Sequence, residues 1–238
     1  MIKSQVINFV KNNKKKYKNR NEFILDLASS NKANFNDAKE VLCSLLEEGK
    51  IVEVYTGKFK LLEDTKLIKG RLIGNNKGYA FVDVGDPNKP DFFVPASKLN
   101  GAYNGDTVII NPLCKTDLSQ EAEVVKVLKR NNLTLVGTYS KLKRGDGLVV
   151  PDNNKFSKQI FVKGKNSLGA VSGQKVVVKI TFTPKNENLN GEIIEILGDE
   201  NDFKTLQLAL IRAHKLYEQF PKEVIEEADK IPQNVQGK

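Results

Sequence analysis

The feature that most constrains the fold is a repetition of short apolar runs between Thr65 and Gly198. GRLIGNNKGYAFVDV from Gly70 has a counterpart in GTYSKLKRGDGLVVP from Gly137, DFFVP from Asp91 in QIFVK from Gln159, and GDTVII from Gly105 in GQKVVV from Gly173. The three pairs keep their order at an offset of 67 or 68 residues, so one supersecondary unit is used twice. The runs are rich in Val, Ile and Phe and are punctuated by turn residues, which is the pattern of small all-β barrels. Two barrels are expected, over residues 65–128 and 129–198.

The flanks read differently. Residues 2–10, IKSQVINFV, carry apolar positions at helical spacing until the basic run KNNKKKYKNR breaks it. Asn21 is placed to cap a second helix, EFILDLASS, and Asn36 with Asp37 to introduce a third, AKEVLCSLLEEG, which stops at Gly49. KIVEVYTGKFKL then alternates around Thr56-Gly57 as a β-hairpin does. Three helices and a hairpin within residues 1–64 predict a winged helix-turn-helix. Such units either contact nucleic acid, here through Lys14, Lys15, Lys16, Lys18, Lys58 and Lys60, or bind proteins and stiffen the chain. After Gly198 the pattern is again helical, with DFKTLQLALIRAHKLYEQF, a stop at Pro221 and then KEVIEEADKI. Residues 199–238 are therefore expected to form a helical linker, and their eight acidic against six basic residues do not suit an RNA-binding arm. The fold class is α+β multidomain: winged helix-turn-helix, two tandem OB-fold barrels, helical linker.

The chain of 238 residues has a formal net charge of +9 and a pI near 9.3. A positive field concentrates a polyanion and releases its counterions on contact. The competing explanation is compositional, since 33 of the 38 basic residues are Lys. Cys43 and Cys114 lie far apart without C-x-x-C spacing, which suggests neither a zinc site nor a disulfide framework and fits a reducing, cytoplasmic setting. No apolar run approaches the length of a membrane span.

Alternation decides which side chains share a face of a strand. In KGYAFV, Lys77, Tyr79 and Phe81 point one way and Ala80 and Val82 the other. If the core takes Val82, Phe92 and Val94, the outer face gathers Tyr79, Phe81 and Phe93 beside Lys77. An exposed aromatic patch costs solubility unless something covers it. Single-stranded bases cover it well, at about 1–3 kcal/mol per stacked base, while neighbouring cations meet the phosphates.

KGYAFV followed by DFFVP resembles the two ribonucleoprotein signatures of cold-shock domains, OB-fold barrels that bind single-stranded nucleic acid. Ala80 departs from the usual Gly and Pro95 from the usual His, and no Trp occurs. The wider arrangement, with EIIEILGD leading into LIRAHKLYEQFP, resembles the amino-terminal part of the ribonuclease R family of 3′ to 5′ exoribonucleases. That resemblance implies that the barrels hold single-stranded or 3′-tailed RNA for a following catalytic domain whose Asp residues bind magnesium. No matching Asp constellation occurs in the tail, so the chain is expected to bind substrate without cutting it, to need no cofactor itself and to be a monomer. Asp199, Glu200 and Asp202 read as a helix cap.

In the second barrel Asp146 stands at the position of Tyr79 and Leu148 at that of Phe81, leaving Phe161 as the counterpart of Phe93. Charge takes over there: residues 129–198 carry twelve Lys or Arg against five acids, and residues 66–128 eight against seven. The expected division is base stacking on the first barrel, flanked by Arg71, and backbone contact by the second through Lys141, Lys143, Arg144, Lys158, Lys163 and Lys165, unless these are ordinary solvated lysines. Lys predominance favours phosphate contact over base reading. The single His214 has no evident nucleophile or carboxylate partner and reads as structural, and no phosphate-binding glycine loop appears. A free-standing RNA chaperone and a winged-helix transcriptional regulator are the alternatives.

Overall fold

The computed structural model describes residues 1–13, 15–116, 119–131, 133–156, 158–181 and 189–216, together with Val224 and Glu227. Lys14 and most of KEVIEEADKI lie outside the described residues. The chain divides into two compact units: Met1–Leu133 with Asn154–Ser157, and Thr134–Asn153 with Lys158–Lys238.

The first unit opens with α1 (Lys3–Asn12), α2 (Arg20–Ser30) and α3 (Phe35–Glu47), followed by the hairpin β1 (Ile51–Tyr55) and β2 (Lys58–Leu61). This is the winged arrangement that the sequence predicts. Its core is built from the inward helix faces, with Val6, Val10, Phe23, Leu27, Leu42 and Leu45, and is closed by Ile51, Phe59 and Leu61 from the hairpin. The caps differ from expectation. Asn19 begins α2 in place of Asn21, its side-chain oxygen accepting from Glu22 N at 2.9 Å. Asn34 begins α3 in place of Asn36 and Asp37, accepting from Asp37 N at 2.8 Å. A cap must reach the amide three residues on, and each of these does so with a carboxylate in the first turn to meet the helix dipole.

Two closed five-stranded barrels follow. The first cycles β3 (Ile68–Gly74), β4 (Ala80–Asp83), β5 (Phe92–Val94), β7 (Ser119–Lys129) and β6 (Thr107–Thr116). The second repeats that cycle with β8 (Thr134–Lys141), β9 (Gly147–Pro151), β10 (Ile160–Val162), β12 (Leu189–Asp199) and β11 (Gln174–Thr181). In each, one pairing is parallel, β5 with β7 and β10 with β12, and it joins strands distant in sequence. The OB-fold expectation and the repeat are thus both realised. The interiors are equivalent but not identical. Leu72 and Ala80 are buried in the first barrel, and Tyr139 and Gly147 occupy the corresponding places in the second.

α4 (Phe203–His214) packs on the outside of the second barrel, where Ala209 meets Val136, Val177 and Leu197. Asp202 caps it by accepting from Thr205 N at 3.1 Å, the role expected of this acidic cluster. The helix ends at His214, and residues 217–220 of the expected helical stretch lie outside the described residues. Lys215 adopts a left-handed conformation (φ 53°), and Leu216 N closes back onto the Ile211 carbonyl at 3.0 Å. No helix among the described residues is long and apolar enough to cross a membrane.

Candidate nucleic-acid interface

The first barrel carries the aromatic surface on β4, β5 and the turn before β4. In that turn Asn75 Oδ1 accepts from Lys77 N at 3.0 Å and Gly78 takes φ 90°, which turns the chain so that Tyr79 enters β4 on its outer side. Phe81 and Phe93 are directly paired across β4 and β5. Side chains so paired lie on one face, and Ala80, Val82, Phe92 and Val94 alternate into the core. The three rings form a closed triangle, with centroids 5.7 Å apart for Tyr79 and Phe81, 5.5 Å for Tyr79 and Phe93, and 5.8 Å for Phe81 and Phe93. Phe81 is 38% exposed and the other two rings are partly exposed. Phe81 meets Tyr79 and Phe93 edge to face, those two are tilted against each other, and the cluster leaves apolar ring surface toward solvent.

Cations border this surface. Lys77 is exposed on the turn. Arg71 is exposed on β3, opposite Asp83, whose carboxylate accepts from Gly85 N at 2.7 Å. One neighbour is not foreseen from the sequence. Glu121 on β7 lies opposite Phe93 through the parallel pairing, and its carboxylate accepts from Lys98 Nζ at 2.7 Å. Nothing local signals this contact, because only barrel closure brings β7 beside β5.

In the second barrel Phe161 and Leu148 are paired across β10 and β9, as Phe93 and Phe81 are in the first. Asp146 serves the backbone: its carboxylate accepts from Gly164 N at 2.9 Å. That bond ties the turn carrying Lys141, Lys143 and Arg144 to the 3-10 turn Gly164–Asn166, flanked by Lys163 and containing Lys165. A Cβ on Gly164 would come 2.7 Å from the Gly145 carbonyl, so the close approach needs glycine there. The two basic segments are thereby held side by side, and all five cationic residues are exposed, as is Lys158. Phe161 is partly exposed.

In the winged helix, Lys15, Lys16 and Lys18 are exposed on the connection from α1 to α2, and Lys58 and Lys60 project from β2. Lys15 Nζ lies 3.0 Å from an Asp26 oxygen that also accepts from Tyr17 Oη at 2.6 Å. Those hydrogen bonds hold the Asp26 carboxyl below the usual range, while burial, reinforced by the bond to Asp26, pushes the Tyr17 phenol up to about 12. Among the described residues no group of three or more His, Cys, Asp or Glu is placed to hold a metal ion. His214 is exposed in the last turn of α4.

Comparison with known proteins matches this architecture part by part. Residues 70–127 match the model of the ribonuclease B OB domain and residues 148–221 that of a cold shock domain. Ribonuclease R of Escherichia coli K12 is 27% identical over 218 residues, covering 91% of this chain and 27% of the relative. Ribonuclease R of Thermotoga maritima is 33% identical over 205 residues, covering 84% and 28%. Among solved structures, Mycoplasma genitalium RNase R in complex with ribose methylated single-stranded RNA superposes with a TM-score of 0.58 at 23% identity, covering 71% of this chain and 27% of that one. The chain thus spans little more than a quarter of the relatives it matches. In sequence and fold it corresponds to the amino-terminal portion of ribonuclease R, with an OB domain of the ribonuclease B type and a cold shock domain in tandem.

Proposed function

We propose that this chain binds single-stranded RNA and recruits it for a 3′ to 5′ exoribonuclease of the ribonuclease R type. The observation that carries the reading is the ring triangle of Tyr79, Phe81 and Phe93 on the outer face of a closed barrel. Successive bases stack on these rings, and Lys77 and Arg71 meet the phosphates on either side. The second barrel adds backbone contact through Lys141, Lys143, Arg144 and Lys163, with Phe161 as its remaining ring. Stacking and phosphate contact ignore base identity, so the grip suits a strand that must be moved through whatever its sequence. Magnesium and the cutting chemistry belong to a following catalytic domain, to which this portion delivers the strand.

The test incubates labelled single-stranded RNA with the chain and magnesium, then resolves the products on native and denaturing gels beside the Y79A/F81A/F93A variant. Retarded, uncut RNA is expected. The three substitutions should weaken binding by at least tenfold, since even one lost stack at about 1.4 kcal/mol has that effect. Equal retention by the variant would refute the stacking reading, and shortened RNA would reveal an active site in this chain.

A further inference from the structure

A winged helix-turn-helix ordinarily presents its third helix to nucleic acid. Here α3 is unsuited to that role. Its exposed side chains include Asp37, Glu40 and Glu47 against Lys39 alone, so a phosphate backbone laid along it meets net negative charge. α1 and β2 have the complementary character. α1 contains Lys11 and Lys3, the latter paired with Glu48, and no acidic residue, and β2 reads KFKL with both lysines outward.

The fold gathers these cations around one groove. Gly57 at the hairpin tip takes φ 74°, and a Cβ there would sit 2.9 Å from the Tyr17 carbonyl, so the hairpin folds tightly against the connection after α1. The groove formed, of about 330 Å³, is lined by Lys11, Lys15, Tyr17, Lys58 and Lys60 and by one acidic residue, Asp64. Lys15 is engaged by Asp26. Lys11, Lys58 and Lys60 have no ion-pair partner among the described residues. Asn13 and Lys15 also line a second groove of about 800 Å³ along α1, where side-chain amides predominate beside Phe9, Ser30 and the Lys15-paired Asp26. Gln5, Asn8 and Asn12 there fall three and four residues apart and so share one helix face. At the hairpin tip Tyr55 is 72% exposed and pairs across the turn with Lys58. Unpaired cations that repel one another, side-chain amides and one free ring together form a surface complementary to a polynucleotide.

We infer that the winged helix is a second nucleic-acid contact, and that it grips a phosphodiester backbone between α1 and the hairpin, with α3 turned away. Lys11, Lys58 and Lys60 meet phosphates, the α1 amides meet sugar and base edges, and Tyr55 stacks on a base at the hairpin tip.

The test measures, on the full chain, affinity for a single-stranded RNA and for an RNA duplex from low to moderate salt, comparing K11Q/K58Q/K60Q with the α3 variant K39Q. Three lost phosphate contacts should flatten the slope of log affinity against log salt by about 2 for the single strand and about 3 for the duplex, while K39Q matches the parent. Flattening with both RNAs, or with one alone, supports the inference and identifies the form held. Parental slopes and affinities with both RNAs overturn it, as does weakening by K39Q without weakening by the triple variant. K58Q and K60Q singly, each expected to remove about one-third of the effect, preserve the test if the triple variant fails to fold. Loss of binding in Y79A/F81A/F93A is a separate outcome that reports only on the first barrel.

Discussion

Tyr139 and Gly147 should behave as a single packing decision. Tyr139 is fully buried, and a Cβ on Gly147 would lie under 3.0 Å from two atoms of its ring and from its hydroxyl oxygen, where ordinary carbon contacts are roughly 3.5–4.0 Å. Gly147→Ala therefore forces the ring aside in a close-packed interior, which costs about 1–3 kcal/mol, against about 0.5–1 kcal/mol gained by removing glycine from a strand. Net destabilisation of about 1–2 kcal/mol is expected. Tyr139→Leu opens a cavity, at about 2–4 kcal/mol for a large-to-small core change, but it also removes a buried hydroxyl that has no hydrogen-bond partner among the described residues, whose burial costs about 1–3 kcal/mol. The double variant recreates the Leu72 and Ala80 pair of the first barrel, in the same register. It should therefore be more stable than the sum of the single changes predicts, with a coupling of about 1–3 kcal/mol. Because the chain has two units that can unfold separately, the assay is urea-dependent amide exchange read on peptides from β8 and β9. If Gly147→Ala alone is neutral, or the double variant shows no coupling, the claim that the barrels exchange one large and one small residue at equivalent places is wrong.

Two further outcomes concern ionisable groups in the first unit. Arg130 Nη1 lies 2.6 Å from the Asp106 carboxylate, which is 1% exposed and is also held by Tyr103 N at 2.9 Å; burial pushes the Asp106 carboxyl up despite these partners. Arg130→Met should cost about 3 kcal/mol at neutral pH, the low end for a broken buried pair. Protonation removes the stranded charge, so the deficit should shrink as pH falls through the raised value. A urea-midpoint difference that stays constant from pH 7 to pH 4 would contradict this. Tyr17, with its phenol raised to about 12 above the ordinary 10.0, contributes stability that is complete below pH 10 and lost as pH rises through about 12. Phenolate absorbance should show a late phase near pH 12 that Tyr17→Phe removes, and persistence of that phase in the variant would assign it to another residue.

Much of the candidate site is legible in the amino-acid sequence alone. A period of two fixes which residues share a strand face, so Tyr79, Phe81 and Phe93 fall together and opposite Val82, Phe92 and Val94. The arrangement of residues 70–82 against 137–149 likewise identifies the second barrel. The misplaced caps have a local cause: Asn19, Asn21, Asn34 and Asn36 all belong to a residue type that caps well, and the choice rests on which amide each oxygen reaches. The role of Asp146 is hidden in the sequence because its partner, Gly164 N, is 18 residues away in another turn.

What the sequence determined by itself is the alternation of each strand, the turns between strands and the repetition of the unit, all of which rest on interactions between near neighbours. What only the tertiary structure decided is barrel closure, which sets Glu121 beside Phe93, and the docking of the hairpin against α1, which gathers Lys11, Lys58 and Lys60 around one groove. Those contacts join residues far apart in the chain, and they form because apolar faces must be buried together wherever their strands and helices begin; periodicity along the chain carries no record of which face meets which.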